Sequence, residues 1–239
     1  MAALAVFAAR SAGALVPALA PYGGLCVGAA LVSLALRRAA RERDGLRRQG
    51  IALGGLLGPA SDEGTPGPFG LFELARTLWR ARASALREML VALALAALTF
   101  PPYVLLFAAW NGAEPGAFRG PDAMSMASFA LGQLVVIALP EEVFFRGYVQ
   151  TRLGDAFPAP RAGPFARLGV APRVLVLQSL LFAVVHLATP APNPARLATF
   201  VPGLAFGVLR AWRGGVGAAI GYHALCNVLA EVLYRGWLS

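Results

Sequence analysis

Pro140-Glu141-Glu142-Val143-Phe144-Phe145-Arg146-Gly147-Tyr148 sets two adjacent carboxylates and one arginine inside an otherwise apolar run. An ionisable side chain at membrane depth costs on the order of 2.5–3.5 kcal/mol on insertion scales, so such groups are kept only where they are paired or used. Glu142 and Arg146 stand four apart, share a helix face and can neutralise each other. Glu141 points elsewhere. One carboxylate is thereby read as structural and the other as free for proton transfer.

The surrounding chain has the composition of a membrane protein. Of its 239 residues 58% are hydrophobic and mean hydropathy is +0.64, too apolar for a soluble globule. All 21 basic residues are arginine and the net charge is +9. The arginines cluster between apolar runs and not along one amphipathic face, which fits cytoplasmic loops against anionic lipid and argues against nucleic acid as a partner. Cys26 and Cys226 lie in apolar runs, where a thiol behaves as a small hydrophobe. Met1 to Ala9 lacks a basic n-region, so the N-terminus is read as uncleaved.

Outward from the acidic stretch, the expected fold class is all-α, a polytopic bundle of about six transmembrane helices plus an interfacial amphipathic helix. The first span lies between Arg10 and Arg37, and the arginines that follow it place the next loop in the cytoplasm. Residues 51–68 read as a linker. Phe69 to Glu88 alternates Leu71, Leu74, Leu78 and Trp79 with Glu73, Arg76, Arg80 and Arg87, the pattern of a surface helix or of a polar lead-in to the next span. Met89 to Trp110 is the second span, kinked or split at Pro101-Pro102. The third runs from Met124 to about Arg152 and carries the acidic pair. Val174 to Ala188, Leu197 to Leu209 and Val216 to Tyr234 complete the set. Residues 1–88 form an N-terminal unit and 89–239 the core.

Depth ties three spans together. Glu141 is 11 residues from Arg152, His186 is 13 from Arg173, and His223 is 10 from Arg213. At the helical rise these are roughly 16, 20 and 15 Å into a hydrocarbon core about 30 Å thick, so one mid-membrane cavity would hold all three. Two chemistries fit. Glu141, His186 and His223 could ligate zinc with a position open for water. Alternatively, a glutamate and a histidine activate water directly while the other histidine and Asn227 donate hydrogen bonds to an oxyanion. HExxH is absent, and Ser125, Ser128 and Ser179 have no base beside them.

These residues resemble the CPBP (CAAX protease and bacteriocin-processing, or Abi) family of intramembrane proteases. Its motifs EExxxR, FxxxH and HxxxN/D stand here as Glu141 to Arg146, Phe182 to His186, and His223 to Asn227, and the resemblance covers about residues 123–233. It implies an endopeptidase acting on a membrane-associated protein or peptide, at a C-terminal CAAX-like tail or sorting signal, without a required cofactor; zinc is the alternative. By this resemblance Glu141 and His186 activate water, His223 and Asn227 hold the oxyanion, and Glu142, Arg146 and Phe182 support the site. The arginine-rich, alanine-rich composition points to the inner membrane of a bacterium. The competing readings are a proton-coupled transporter, in which the same acids and histidines relay protons, and a non-catalytic scaffold or immunity protein.

Overall fold

The computed structural model describes residues 23–53, 71–188 and 193–238. The linker expected at 51–68 and the start of the first span lie largely outside them. The described residues contain no strand. In chain order they form α1 (Gly23–Ala39), α2 (Gly45–Arg48), α3 (Leu71–Asn111), α4 (Ala123–Ala156), α5 (Pro164–Arg167), α6 (Pro172–Val185), α7 (Phe200–Arg213) and α8 (Gly217–Trp237).

Two of these are long and apolar enough to cross a membrane, Trp79–Asn111 within α3 and Ala123–Ala156. Only 11% and 17% of their most apolar windows are buried, whereas the core helix of a soluble protein would be mostly covered. Leu90, Leu98, Leu105, Leu106 and Trp110 of α3 face outward, as they would against lipid. By length and hydropathy, two helices qualify where six were expected. Each of α6 and α7 has 14 residues, about 21 Å at the helical rise against a hydrocarbon core of about 30 Å. The ends of these helices explain their length. A proline opens α6 and His186 caps it, while Gly214 in the left-handed region ends α7.

Among the described residues no separate interfacial helix precedes the second span. The segment expected to lie on the surface is the N-terminal part of α3, and the helix continues unbroken through Pro101-Pro102. The lead-in reading of that segment therefore holds. On it, Glu88 accepts from Arg213 Nη2 at 2.7 Å and Nε at 3.2 Å, tying α3 to the end of α7.

Three apolar clusters organise the bundle. Leu31 of α1, Ala92 and Ala96 of α3, Phe144 and Phe145 of α4, Phe182 of α6, Phe206 of α7 and Tyr222 of α8 share the largest. A second joins α1 and Ile51 to Ala138 and Val143 of α4 and Ile220 of α8. The third packs Val174 and Leu175 of α6 beside Leu153 and Phe157, at the far end of α4.

The strap after α2 enters the bundle. Gln49 and Ile51 are fully buried, and a Cβ at Gly147 of α4 would collide with Ile51 Cγ2. Only glycine allows that approach. Val216 N–H donates to Gly50 O at 3.0 Å and Arg210 Nη2 to Arg48 O at 3.0 Å, so the strap is held from α7 and α8 as well. Outside it, Arg48 and Arg152 both pair with Glu42 and Asp155 in a ring of four charges.

Candidate active site

The acidic stretch lies in a helix that departs twice from α geometry. Pro140 has no N–H, and in a regular helix its ring would press on the carbonyl of Val136. The chain widens instead: Gln133–Ala138 is π-helical, with Leu139 N–H donating to Leu134 O, and Val143–Val149 is π-helical, with Gln150 N–H donating to Phe145 O. Both are i→i−5 bonds. π turns of this kind are frequent at functional sites because each inserted residue re-aims the side chains beyond it. Gly28 of α1 closes on the first turn, where an added Cβ would meet Pro140 Cγ at 3.0 Å and Val136 O at 3.2 Å.

Glu142 and Arg146 form the buried pair that their spacing allows. Arg146 Nη1 donates to Glu142 Oε1 at 2.9 Å, and both side chains are 0% exposed. The guanidinium is further held by Gly203 O, 3.2 Å from Nη2, and lies over the rings of Phe182 at 4.2 Å and Phe206 at 4.9 Å. Cation–ring contacts of this kind gain strength when desolvated. Gly203 and Gly207, one turn apart on α7, let its backbone come close enough for this. Gln178 Nε2 also donates to Gly203 O, and Gln150 Nε2 to Gly207 O.

The same Glu142 oxygen accepts a second bond. His223 Nδ1 lies 2.9 Å from Glu142 Oε1, and its ring stacks on Phe206 at 4.8 Å and 16°. A carboxylate only accepts, so Nδ1 carries a proton, and Nε2 is the nitrogen left free to exchange one. Nε2 faces Glu141 Oε2 at 3.9 Å. Glu141 is 20% exposed, and that oxygen is buried without a hydrogen-bond partner among the described residues. The gap is too long for a direct hydrogen bond and suits a bridging group.

His186 caps α6. Its Nδ1 donates to Phe182 O at 2.7 Å, which leaves Nε2 as the acceptor. The Phe182 ring touches both histidines, at 4.7 Å from His186 and 5.8 Å from His223. Asn227, one turn beyond His223 on α8, donates from Nδ2 to Gln133 Oε1 at 2.8 Å.

Glu141, Glu142, Arg146 and His223 thus form one connected group, with Phe182 against it. His186 adjoins through Phe182, and Asn227 through the next turn of α8. The donor set does not fit a metal: among the described residues no three His, Cys, Asp or Glu side chains are placed to hold an ion. Glu141, His186 and His223 are therefore not gathered as a zinc ligand set.

The sequence reading missed Gln133, Gly203 and Phe206. Gln133 is a lone amide in the apolar run 129–139 and could have been flagged as an intramembrane polar residue. Gly203 and Gly207 carry the small-xxx-small spacing of close helix packing. Phe206 has no local signal.

Residues 123–229 match the family described as type II CAAX prenyl endopeptidase Rce1-like. This segment of the chain is thus similar to the CAAX-protease family. No curated protein and no solved structure matches the chain. CAAX proteases of this group are membrane proteins, and at family level the activity is that of an intramembrane protease. The matched segment holds α4, α6, α7 and most of α8, and so every residue of the site. α1, the strap at Gln49 to Ile51 and α3 lie outside it.

Proposed function

We propose that this chain is a CAAX-protease-like endopeptidase that hydrolyses a peptide bond in a membrane-associated protein or peptide, near its C-terminal tail, with water activated by Glu141. One observation carries the reading: Glu141 Oε2 and His223 Nε2 face each other across 3.9 Å, with His223 fixed from behind by Glu142 and Arg146. A carboxylate that holds Nδ1–H and leaves Nε2 to exchange a proton is the arrangement used to orient catalytic histidines.

In this scheme Glu141 takes a proton from water as the water oxygen attacks the scissile carbonyl carbon. The carbonyl π electrons move to oxygen, and Asn227 Nδ2–H donates to the oxyanion. As the C–N bond breaks, the departing nitrogen takes a proton from Glu141 or, once it has been passed on, from His223 Nε2. His186, with Nε2 left as acceptor, is a second base for the water. Glu142 and Arg146 touch no reacting atom and hold His223 in register. The mechanism runs without metal, so chelators are expected to leave turnover unchanged.

Substrates with a CAAX-like tail or a C-terminal sorting signal, a bacterial inner-membrane location, and residues 89–239 as the protease core belong to the same proposal. The test is to compare C-terminal peptides of membrane proteins in cells making the wild-type chain, Glu141→Gln or His186→Ala, each checked for folding in detergent. The expected result is one or more tails trimmed by the wild type alone. Identical trimming by all three would overturn the scheme.

A further inference from the structure

We propose that Gln133 is a positioning residue of the active site, holding the Asn227 carboxamide so that one Nδ2–H is engaged and the other is directed at the reacting carbonyl oxygen. This rests on the oxyanion role given to Asn227 above. The first observation is the bond itself: Gln133 Oε1 accepts from Asn227 Nδ2 at 2.8 Å, between residues far apart in the chain and both half-buried. A primary amide has two N–H donors, and fixing one fixes the plane of the other. An untethered asparagine could turn its carbonyl oxygen toward the same place and repel the developing charge.

The second observation is where Gln133 lies in α4. It opens the first π-helical turn, and that turn packs against α8. On an unbroken α-helix Gln133 and Glu141, eight residues apart, would point about 80° apart, while one inserted residue takes back about 100° and brings them within about 20° of each other. Both then face α8, Gln133 toward Asn227 and Glu141 toward His223, which are themselves one helical turn apart. The same widened turn that accommodates Pro140 therefore places a base and the holder of an oxyanion donor on one face.

The test uses the full chain in detergent with an internally quenched farnesylated peptide ending in Cys-aliphatic-aliphatic-X. Gln133→Leu removes the acceptor but leaves the Asn227 donor in place, so kcat is expected to fall by less than the roughly 10²–10³ that loss of an oxyanion donor costs, about 10–100-fold, with KM within about twofold. Gln133→Glu keeps an accepting oxygen and is expected to restore most of kcat. In the Asn227→Ala background Gln133→Leu should cost nothing more. Wild-type kcat in Gln133→Leu, or losses that multiply in the double variant, would overturn the proposal. If the wild type does not cleave this peptide, the fault lies with the substrate reading. The proposal is then decided by thermal unfolding of Gln133→Leu, Asn227→Leu and the double variant. Shifts in Tm that fall short of adding support the contact, and shifts that add overturn it.

Discussion

Exchanging either glutamate for glutamine changes one atom, yet the two neighbours should respond in different ways. Glu142 neutralises a fully buried guanidinium and also holds His223 Nδ1, while Glu141 makes no close bond and is partly exposed. Glu142→Gln leaves Arg146 as an uncompensated charge at 0% exposure, and removing one partner of a buried pair costs about 3–5 kcal/mol. For chains of about this size each kcal/mol moves Tm by about 2–4 °C, so a fall of about 6–20 °C is expected. Glu141→Gln breaks no such pair, since its buried oxygen has no hydrogen bond to lose among the described residues, and should leave Tm within about 2 °C. Activity should be lost in both. The assay is intrinsic-fluorescence melting in detergent beside peptide cleavage, with Glu142→Gln/Arg146→Met as a control that removes both charges and recovers part of the Tm. Equal Tm shifts for the two single variants would refute the division of labour between the glutamates.

At Gly147, an added methyl meets Ile51; overpacking costs about 1–3 kcal/mol, helix propensity returns about 1 kcal/mol, and Gly147→Ala should be neutral to about 2 kcal/mol destabilising in melts. In an Ile51→Ala background the collision is gone and the same change should stabilise, a reversal of sign that melting of the four variants reads directly. The ring of Glu42, Arg48, Arg152 and Asp155 is largely solvent-facing, so Asp155→Asn should cost less than about 1 kcal/mol, and the loss should vanish in 1 M salt, where the screening length is about 3 Å.

The parts of the site that could be read from the chain are those governed by local helical spacing. Glu142 and Arg146 needed only an i,i+4 rule, and the bond from His186 to Phe182 O is an i,i+4 contact too. Pro140 was visible, but not that the helix would widen around it, because periodicity assumes 3.6 residues per turn throughout. That assumption hid the shared direction of Gln133 and Glu141. Contacts between distant segments left no periodic trace: Ile51 against Gly147, Phe206 under His223, and Glu142 as the partner of His223 all depend on how helices cross. The count of six spans is not confirmed, since two helices among the described residues are long and apolar enough to cross a membrane. Apolar runs were read as full crossings, whereas Pro172, the cap at His186 and Gly214 shorten α6 and α7.

The buried strap at Gln49 to Ile51 bears on what can be transplanted. A chimaera built from residues 123–229 alone would carry every residue of the site but would uncover Gly147 and leave the second widened turn of α4 unbraced. The stretch that family likeness marks out and the smallest stretch that keeps its shape are thus different lengths of the same chain. A graft that includes α1 and the strap is the one that should retain the widened turns of α4 beside which Glu142 and Arg146 stand.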